Sequence, residues 1–174
     1  MLSIVLTGAT LLSGSKNAAL PEKDIDGTIF LVNRQHVISE QYVPEPLRKT
    51  QVHGMSQSMR EDAAAALEEL FQAAQSEGVK LSSVSGYRSY SKQSLLYDRK
   101  TKRTGSETEA DKLVARPGAS EHQLGLAMDL ATRNSSTLSE KFGSTPEGQW
   151  VYANCQRFGF IVRYLKGYED VTGY

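Results

Sequence analysis

Ser120-Glu121-His122-Gln123-Leu124-Gly125-Leu126-Ala127-Met128-Asp129-Leu130 is the stretch from which the rest of the chain is best read. A neutral imidazole nitrogen and a carboxylate oxygen are both good zinc donors, so His122 and Asp129 stand out together. Their separation of seven residues is not the one-turn spacing of two groups on a helix face. It predicts a bend that pivots on Gly125, followed by a strand. From Leu126 onward, Leu126, Met128 and Leu130 alternate with Ala127, Asp129 and Ala131. Period-2 alternation places Asp129 on a face of small residues, opposite the large apolar ones. A carboxylate flanked by two alanines leaves room for a metal and a substrate. Spacing alone favours a plainer reading, a turn followed by a surface charge; the surrounding pattern shifts the balance.

A second cluster lies upstream, Ser85-Gly86-Tyr87-Arg88-Ser89 with Gln93 after it. Leu81 to Ser85 reads as a short strand, Gly86 as the turn at its end. A helix is expected to start from Ser89 or Ser91 and run to about Arg99. Arg88 then sits at the helix entrance, where a guanidinium can make a paired, charge-assisted contact with a carboxylate. A surface ion pair is the ordinary alternative.

Together these stretches resemble one family. The pattern Ser-x-His-x-x-Gly-x-Ala-x-Asp, without a mismatch here, is similar to the zinc motif of the VanY-type D-alanyl-D-alanine carboxypeptidases, whose relatives include L,D-carboxypeptidases. Ser-Gly-Tyr-Arg-Ser-x-x-x-Gln resembles the family's other signature. The likeness extends through Trp150 and Phe158 to Tyr164, and so covers roughly residues 28 to 174. It implies zinc as cofactor, His122 and Asp129 as metal ligands, and Arg88 and Gln93 as the clamp on the substrate's terminal carboxylate. Ser120 and Tyr87 join the substrate-binding set, Tyr87 with packing as its alternative.

The chain departs from the family at its end. There a Glu-Pro-Trp-His-like segment follows the Thr-Gly-Tyr that this sequence reaches at Thr172, Gly173 and Tyr174. Its His is the third zinc ligand and its Glu the general base, so no catalytic base is assigned within the chain. Catalytic zinc needs three protein ligands and an open position. Glu147, Glu169 and Asp170 have no motif behind them as stand-ins. The intact upstream motifs favour a truncated working enzyme over an inactive chain. The resemblance implies removal of the C-terminal D-alanine from peptidoglycan stem peptides. The alternatives are an L,D-carboxypeptidase acting on the tetrapeptide stem and a non-catalytic binder of cell-wall peptides.

Composition sets the outer limits. With 174 residues, 39% of them hydrophobic, the chain suits one globular domain. Twenty basic and twenty acidic residues cancel, so no general pull towards nucleic acid is expected. The resemblance implies a peptidoglycan stem peptide as partner, and a monomer is the expectation. Cys155 is the lone cysteine, which rules out an internal disulfide and reads as a packed thiol. Leu2 to Leu12 is largely apolar but too short to span a bilayer. An export-signal remnant, an anchor tail, an expression scar and a first strand are its open readings. Export would match an extracellular or cell-envelope site in a bacterium.

Residues 1–27 are thus set apart as remnant, arm and linker, and 28–174 as the catalytic-type domain. Thr28 to Asn33 is expected to be the domain's first strand and Arg34 to Lys49 a loop, with His36 and His53 exposed. Ser58 with Glu61 reads as a capping box, opening a helix to Ser76. Its buried face would be Ala63, Ala64, Leu67, Leu70, Phe71 and Ala74, with Gly78 as its left-handed cap. Thr101 to Ala115 reads as a mobile loop with a short helix over Ala110 to Val114. Thr145 with Pro146 opens a helix to Arg157, burying Trp150, Val151 and Ala153, and Phe160 to Tyr164 is a strand. The expected class is α+β, a small and largely antiparallel sheet with helices on one side.

Overall fold

The computed structural model describes residues 3–6, 24–25, 29–30 and 32–163. Its centre is a four-stranded sheet in the order β6-β7-β1-β8, formed by Leu81–Ser85, Ala127–Thr132, Ser3–Leu6 and Phe160–Arg163. Every neighbouring pair is antiparallel, with Ser85 and Ser3 both in register with Asp129. Two short hairpin-like pairs stand apart: β2 (Asp24–Ile25) with β3 (Ile29–Phe30), and β4 (Leu47–Lys49) with β5 (Ser58–Arg60). Helices α1 (Glu61–Ser76), α2 (Tyr90–Thr104), α3 (Glu107–Asp111) and α4 (Pro146–Asn154) complete the α+β architecture. Among the described residues no helix is long and apolar enough to cross a membrane.

The three- and four-residue steps of α1 do what the pattern predicts. Ala63, Ala64, Leu67, Leu70 and Ala74 are fully buried, in one cluster with Ile4, Met128, Leu130, Val151 and Phe160. Full burial of each leucine contributes about 1.5–3 kcal/mol. Phe71 is only partly buried at the margin of that cluster. Gly78 takes φ +80° and closes the helix as expected, with its N–H on the Gln75 carbonyl at 3.0 Å.

Several expectations are corrected. The capping box does not form, because Ser58–Arg60 pairs with Leu47–Lys49 and the helix begins only at Glu61. Strand pairing claims the backbone that the box would have used, and Leu47–Lys49 is therefore strand rather than loop. The sheet's inner strand near the N-terminus is Ser3–Leu6, while Ile29–Phe30 pairs only with Asp24–Ile25. Helix α2 continues through Thr104 to a left-handed Gly105, so the first part of the expected loop is helical. The short helix after it lies at Glu107–Asp111, ahead of its expected place. Helix α4 gives way to a 3-10 turn over Cys155–Phe158, and Ala153 faces solvent while Val151 is buried. His53 is exposed, but His36 is half-buried against Asn33. Most of the linker over 16–27, the boundary at 27/28, Tyr164 and Thr172–Tyr174 lie outside the described residues.

The outer edge of β6 is covered by residues 53–55. Ser83 N–H donates to the His53 carbonyl and Met55 N–H to the Ser83 carbonyl, both at 2.9 Å. Gly54 makes this approach possible: its φ is +126°, and a Cβ there would lie 2.4 Å from the Ser83 backbone.

Leu67 is the simplest test of this core, since it has no exposed surface. Leu67→Ala is expected to cost about 2–5 kcal/mol. Urea denaturation should show a lowered midpoint with an unchanged slope.

Candidate metal centre and anion clamp

The site is assembled where β6 ends. Gly86 follows Ser85 with no room for a side chain: a Cβ would sit 2.6 Å from the Ser58 carbonyl oxygen and 3.1 Å from Met128 Cε. Its N–H donates to Gln57 Oε1 at 3.1 Å, and the next N–H, of Tyr87, donates to Ser58 O at 2.7 Å. The strand exit is therefore held against β5 over two successive residues. Ser89 caps α2, accepting from Lys92 N–H at 3.3 Å, as its place after the Gly-Tyr-Arg run suggests.

From the other side comes a 3-10 turn, Glu121–Leu124, closed by Gly125 at φ +70°. Gly125 is the expected pivot, and its carbonyl accepts from Arg60 N–H at 2.8 Å. Strand β7 then runs to Asp129, so the bend-then-strand reading holds. Both faces of β7 are enclosed, however: Ala127, Met128, Asp129, Leu130 and Ala131 are all buried.

His122 Nδ1 lies 2.8 Å from the Gly86 carbonyl oxygen. A carbonyl only accepts, so Nδ1 carries a proton and Nε2 is the ring nitrogen turned inward. Nε2 faces Asp129 Oδ2 at 3.4 Å. That exceeds a good hydrogen-bond length, but it suits two donors sharing one ion. Ligands about 2.1 Å from a tetrahedral zinc stand about 3.4 Å apart. Asp129 Oδ1 is buried without a hydrogen-bond partner, an orphaned acceptor that a cation would satisfy. His122 and Asp129 thus fit two positions of a zinc site. Among the described residues no third histidine, cysteine or carboxylate joins them.

Arg88 lies beside this pair. Its N–H donates to the His122 carbonyl at 3.1 Å, and its guanidinium donates to Gln93 Oε1 at 2.8 Å and Ser85 Oγ at 2.7 Å. Burial lowers the Arg88 pKa, and the Asp129 carboxylate opposes that shift. Arg88 accordingly sits within the electrostatic field of Asp129. Gln93 is 1% exposed and donates from Nε2 to the Ala115 carbonyl at 2.6 Å. Its amide oxygen thus braces Arg88 while its nitrogen is anchored on the Ala115 carbonyl. Ser120 is buried at the head of the 3-10 turn. Tyr87 is half-buried, and burial raises its phenol pKa.

Three supporting residues lie in or beside the motifs but were not singled out in the sequence. Ser85 supplies an acceptor to Arg88. Gln123, 1% exposed, donates to the carbonyls of Ser39 at 2.8 Å and Tyr42 at 3.3 Å, holding the preceding loop. Glu121, 6% exposed, receives Arg163 Nε and Nη2 at 3.0 and 2.9 Å, joining the His122 turn to β8. Both Glu121 and Gln123 flank the motif histidine, but their partners lie 42 to 84 residues away, beyond the reach of a local pattern. Cys155 is buried, and burial raises its thiol pKa, as befits a packed rather than nucleophilic cysteine.

The fold is thus a small α+β domain in which a convergent His–Asp pair lies beside a braced arginine. The chain belongs to the VanY family, described as D-alanyl-D-alanine carboxypeptidase, whose pattern it matches over residues 56–174. It is 42% identical over 156 residues to YodJ of Bacillus subtilis, which bears a provisional carboxypeptidase name, covering 86% of this chain and 57% of that protein. The solved LdcB LD-carboxypeptidase is similar at 40% identity and a TM-score of 0.78, covering 90% of this chain and 79% of that one. VanYB in complex with D-alanine-D-alanine is similar at 34% identity and a TM-score of 0.68, covering 83% and 79%. A VanY variant solved with Zn(II) is equally similar, at 34% identity and 0.68, covering 83% and 80%. The chain spans about half the length of the curated relatives it matches.

Gly86→Ala tests the junction between the two motifs. Overpacking against the Ser58 carbonyl should cost about 1–3 kcal/mol of stability. The ring N–H proton of His122, observed by proton NMR, should also exchange faster with solvent as the Gly86 carbonyl shifts.

Proposed function

We propose that this chain is the catalytic part of a zinc-dependent D,D-carboxypeptidase that releases the terminal D-alanine of peptidoglycan stem peptides. The observation that carries the reading is the convergence of His122 Nε2 and Asp129 Oδ2 at 3.4 Å beside a braced arginine. The bound dipeptide and the Zn(II) in VanY structures support it. Such a substrate implies action in the cell envelope, outside the membrane.

His122 and Asp129 would hold the zinc. When bound, zinc supplies Lewis acidity, polarising a carbonyl and acidifying water. Arg88 spends one N–H on Gln93 and one on Ser85, and its remaining donors are available to a terminal carboxylate. That contact explains exopeptidase action, because an interior peptide bond offers no such anion. Gln93 and Ser85 hold the guanidinium in place, while Tyr87 and Ser120 line the binding region. The family resemblance implies a general base and third ligand in a Glu-Pro-Trp-His-like segment, and neither is assigned among the described residues.

A second reading concerns specificity. The LdcB LD-carboxypeptidase aligns with a higher TM-score than VanYB, 0.78 against 0.68, which favours testing L,D-cleavage of the tetrapeptide stem. Release of D-alanine from pentapeptide and from tetrapeptide, measured side by side, separates the two activities.

Zinc content and hydrolysis should be compared for the 174-residue chain and for the same chain followed by the Glu-Pro-Trp-His segment. The longer form should bind zinc and hydrolyse substrate; failure of both would favour a non-catalytic peptide binder. Within the active form, Arg88→Lys should lose about 2–4 kcal/mol in kcat/KM, because lysine cannot reproduce the guanidinium fork. Activity close to wild type would remove Arg88 from the substrate site.

A further inference from the structure

A cavity of about 310 Å³ lies away from the clamp and contains none of its side chains. Its wall brings together Gln51, Phe71, Gln72, Gln75, Lys80 and Arg133. Leu81 pairs with Thr132 at this end of the β6–β7 ladder, whereas Ser85 pairs with Asp129 at the other. Arg133 is four residues beyond Asp129, a separation of roughly 13 Å along an extended strand.

The charge here is one-sided. Lys80 and Arg133 are exposed, and among the described residues neither side chain has a carboxylate partner. Their backbones are fixed: Arg133 N–H donates to the Lys80 carbonyl at 3.0 Å, and His53 Nε2 reaches the Arg133 carbonyl at 3.2 Å. Glu68 is the one carboxylate lining the cavity, and its charge is already engaged. Arg48 contacts both its oxygens at 2.7 and 2.9 Å, and Gln51 N–H adds a bond at 2.8 Å. The Arg48 guanidinium holds that carboxyl below its ordinary pKa.

The remaining lining includes three glutamine amides and the ring of Phe71. The three glutamine amides can each donate to and accept from a peptide backbone, and the half-buried Phe71 offers an apolar surface for small side chains. The volume lies at the lower end of ligand pockets, enough for a short segment rather than a folded partner.

We propose that this cavity is a second binding site, for a carboxylate-bearing peptide of the same polymer whose other stem occupies the clamp. The proposal rests on the reading that the substrate is a cell-wall peptide. Holding one stem here raises the effective concentration of its neighbours at the catalytic cleft.

The test is co-sedimentation of the 174-residue chain with purified peptidoglycan stripped of phosphate polymers, at low salt. An Arg88→Ala background removes the clamp's contribution. Adding Lys80→Glu and Arg133→Glu should weaken the remaining binding on the order of tenfold, and Lys80→Gln with Arg133→Gln should weaken it less. With Arg88 intact, the same pairs should leave turnover of a soluble D-Ala-D-Ala peptide by the longer, active form unchanged. Unaltered sedimentation by both pairs overturns the proposal. So does binding only to material that retains its phosphate polymer, or loss of soluble-peptide turnover. Absence of zinc and hydrolysis in the preceding experiment would defeat the peptidase reading separately, since sedimentation through this cavity needs neither.

Discussion

The hydrogen bond from His122 Nδ1 to the Gly86 carbonyl is the constraint on which the site depends. It joins residues 36 positions apart and fixes the imidazole as the tautomer whose other nitrogen can bind a metal. A reciprocal link, Arg88 N–H to the His122 carbonyl, ties the same two stretches in the opposite sense. The His122–Asp129 pair and the Arg88 guanidinium are thereby held by one piece of backbone. Such outer partners set ring orientation and ligand basicity as firmly as the ligands themselves do. A carbonyl performs this task without a charge of its own, leaving Asp129 and Arg88 as the neighbouring charges.

What the sequence made legible was mostly local. The steps of α1, the Ser89 and Thr145 caps, the Gly125 pivot and the strand carrying Asp129 each follow from a few adjacent residues. Both site motifs were recognisable for the same reason, since their chemistry sits in short runs. Pairings at long range were not legible. Ser58 and Glu61 form a good capping signal, yet the backbone of Ser58–Arg60 is taken by Leu47–Lys49. Ser3–Leu6 enters the sheet between β7 and β8, and no periodicity in four residues distinguishes that from an apolar arm. Gly86 looked like a turn glycine, but its need is for contact: three surrounding groups occupy the place of a side chain.

The supporting polar residues show why local reading stops where it does. Burying Glu121 is costly unless it is paired, and Arg163 supplies the pair from the last described strand. Removing one partner of such a pair typically costs about 3–5 kcal/mol because the other charge is left buried. Gln123 works similarly with neutral groups, spending its amide on two carbonyls of the 39–42 loop. Both fix the turn from which His122 projects, so the precision of the site is borrowed from strand and loop contacts distant in the chain.

The strip of backbone over residues 53–55 has a consequence for how molecules of this protein meet. Strand β6 is an outer strand of the sheet, and such edges are templates for pairing with another chain. Here the Ser83 amide and carbonyl are occupied by His53 and Met55, and Gly54 is the residue small enough to let them approach. The midpoint of that edge is therefore closed to strand-by-strand aggregation while the loop stays in place. A side chain at Gly54 would do more than strain one turn: by lifting the cover it would turn a protected edge into an adhesive one.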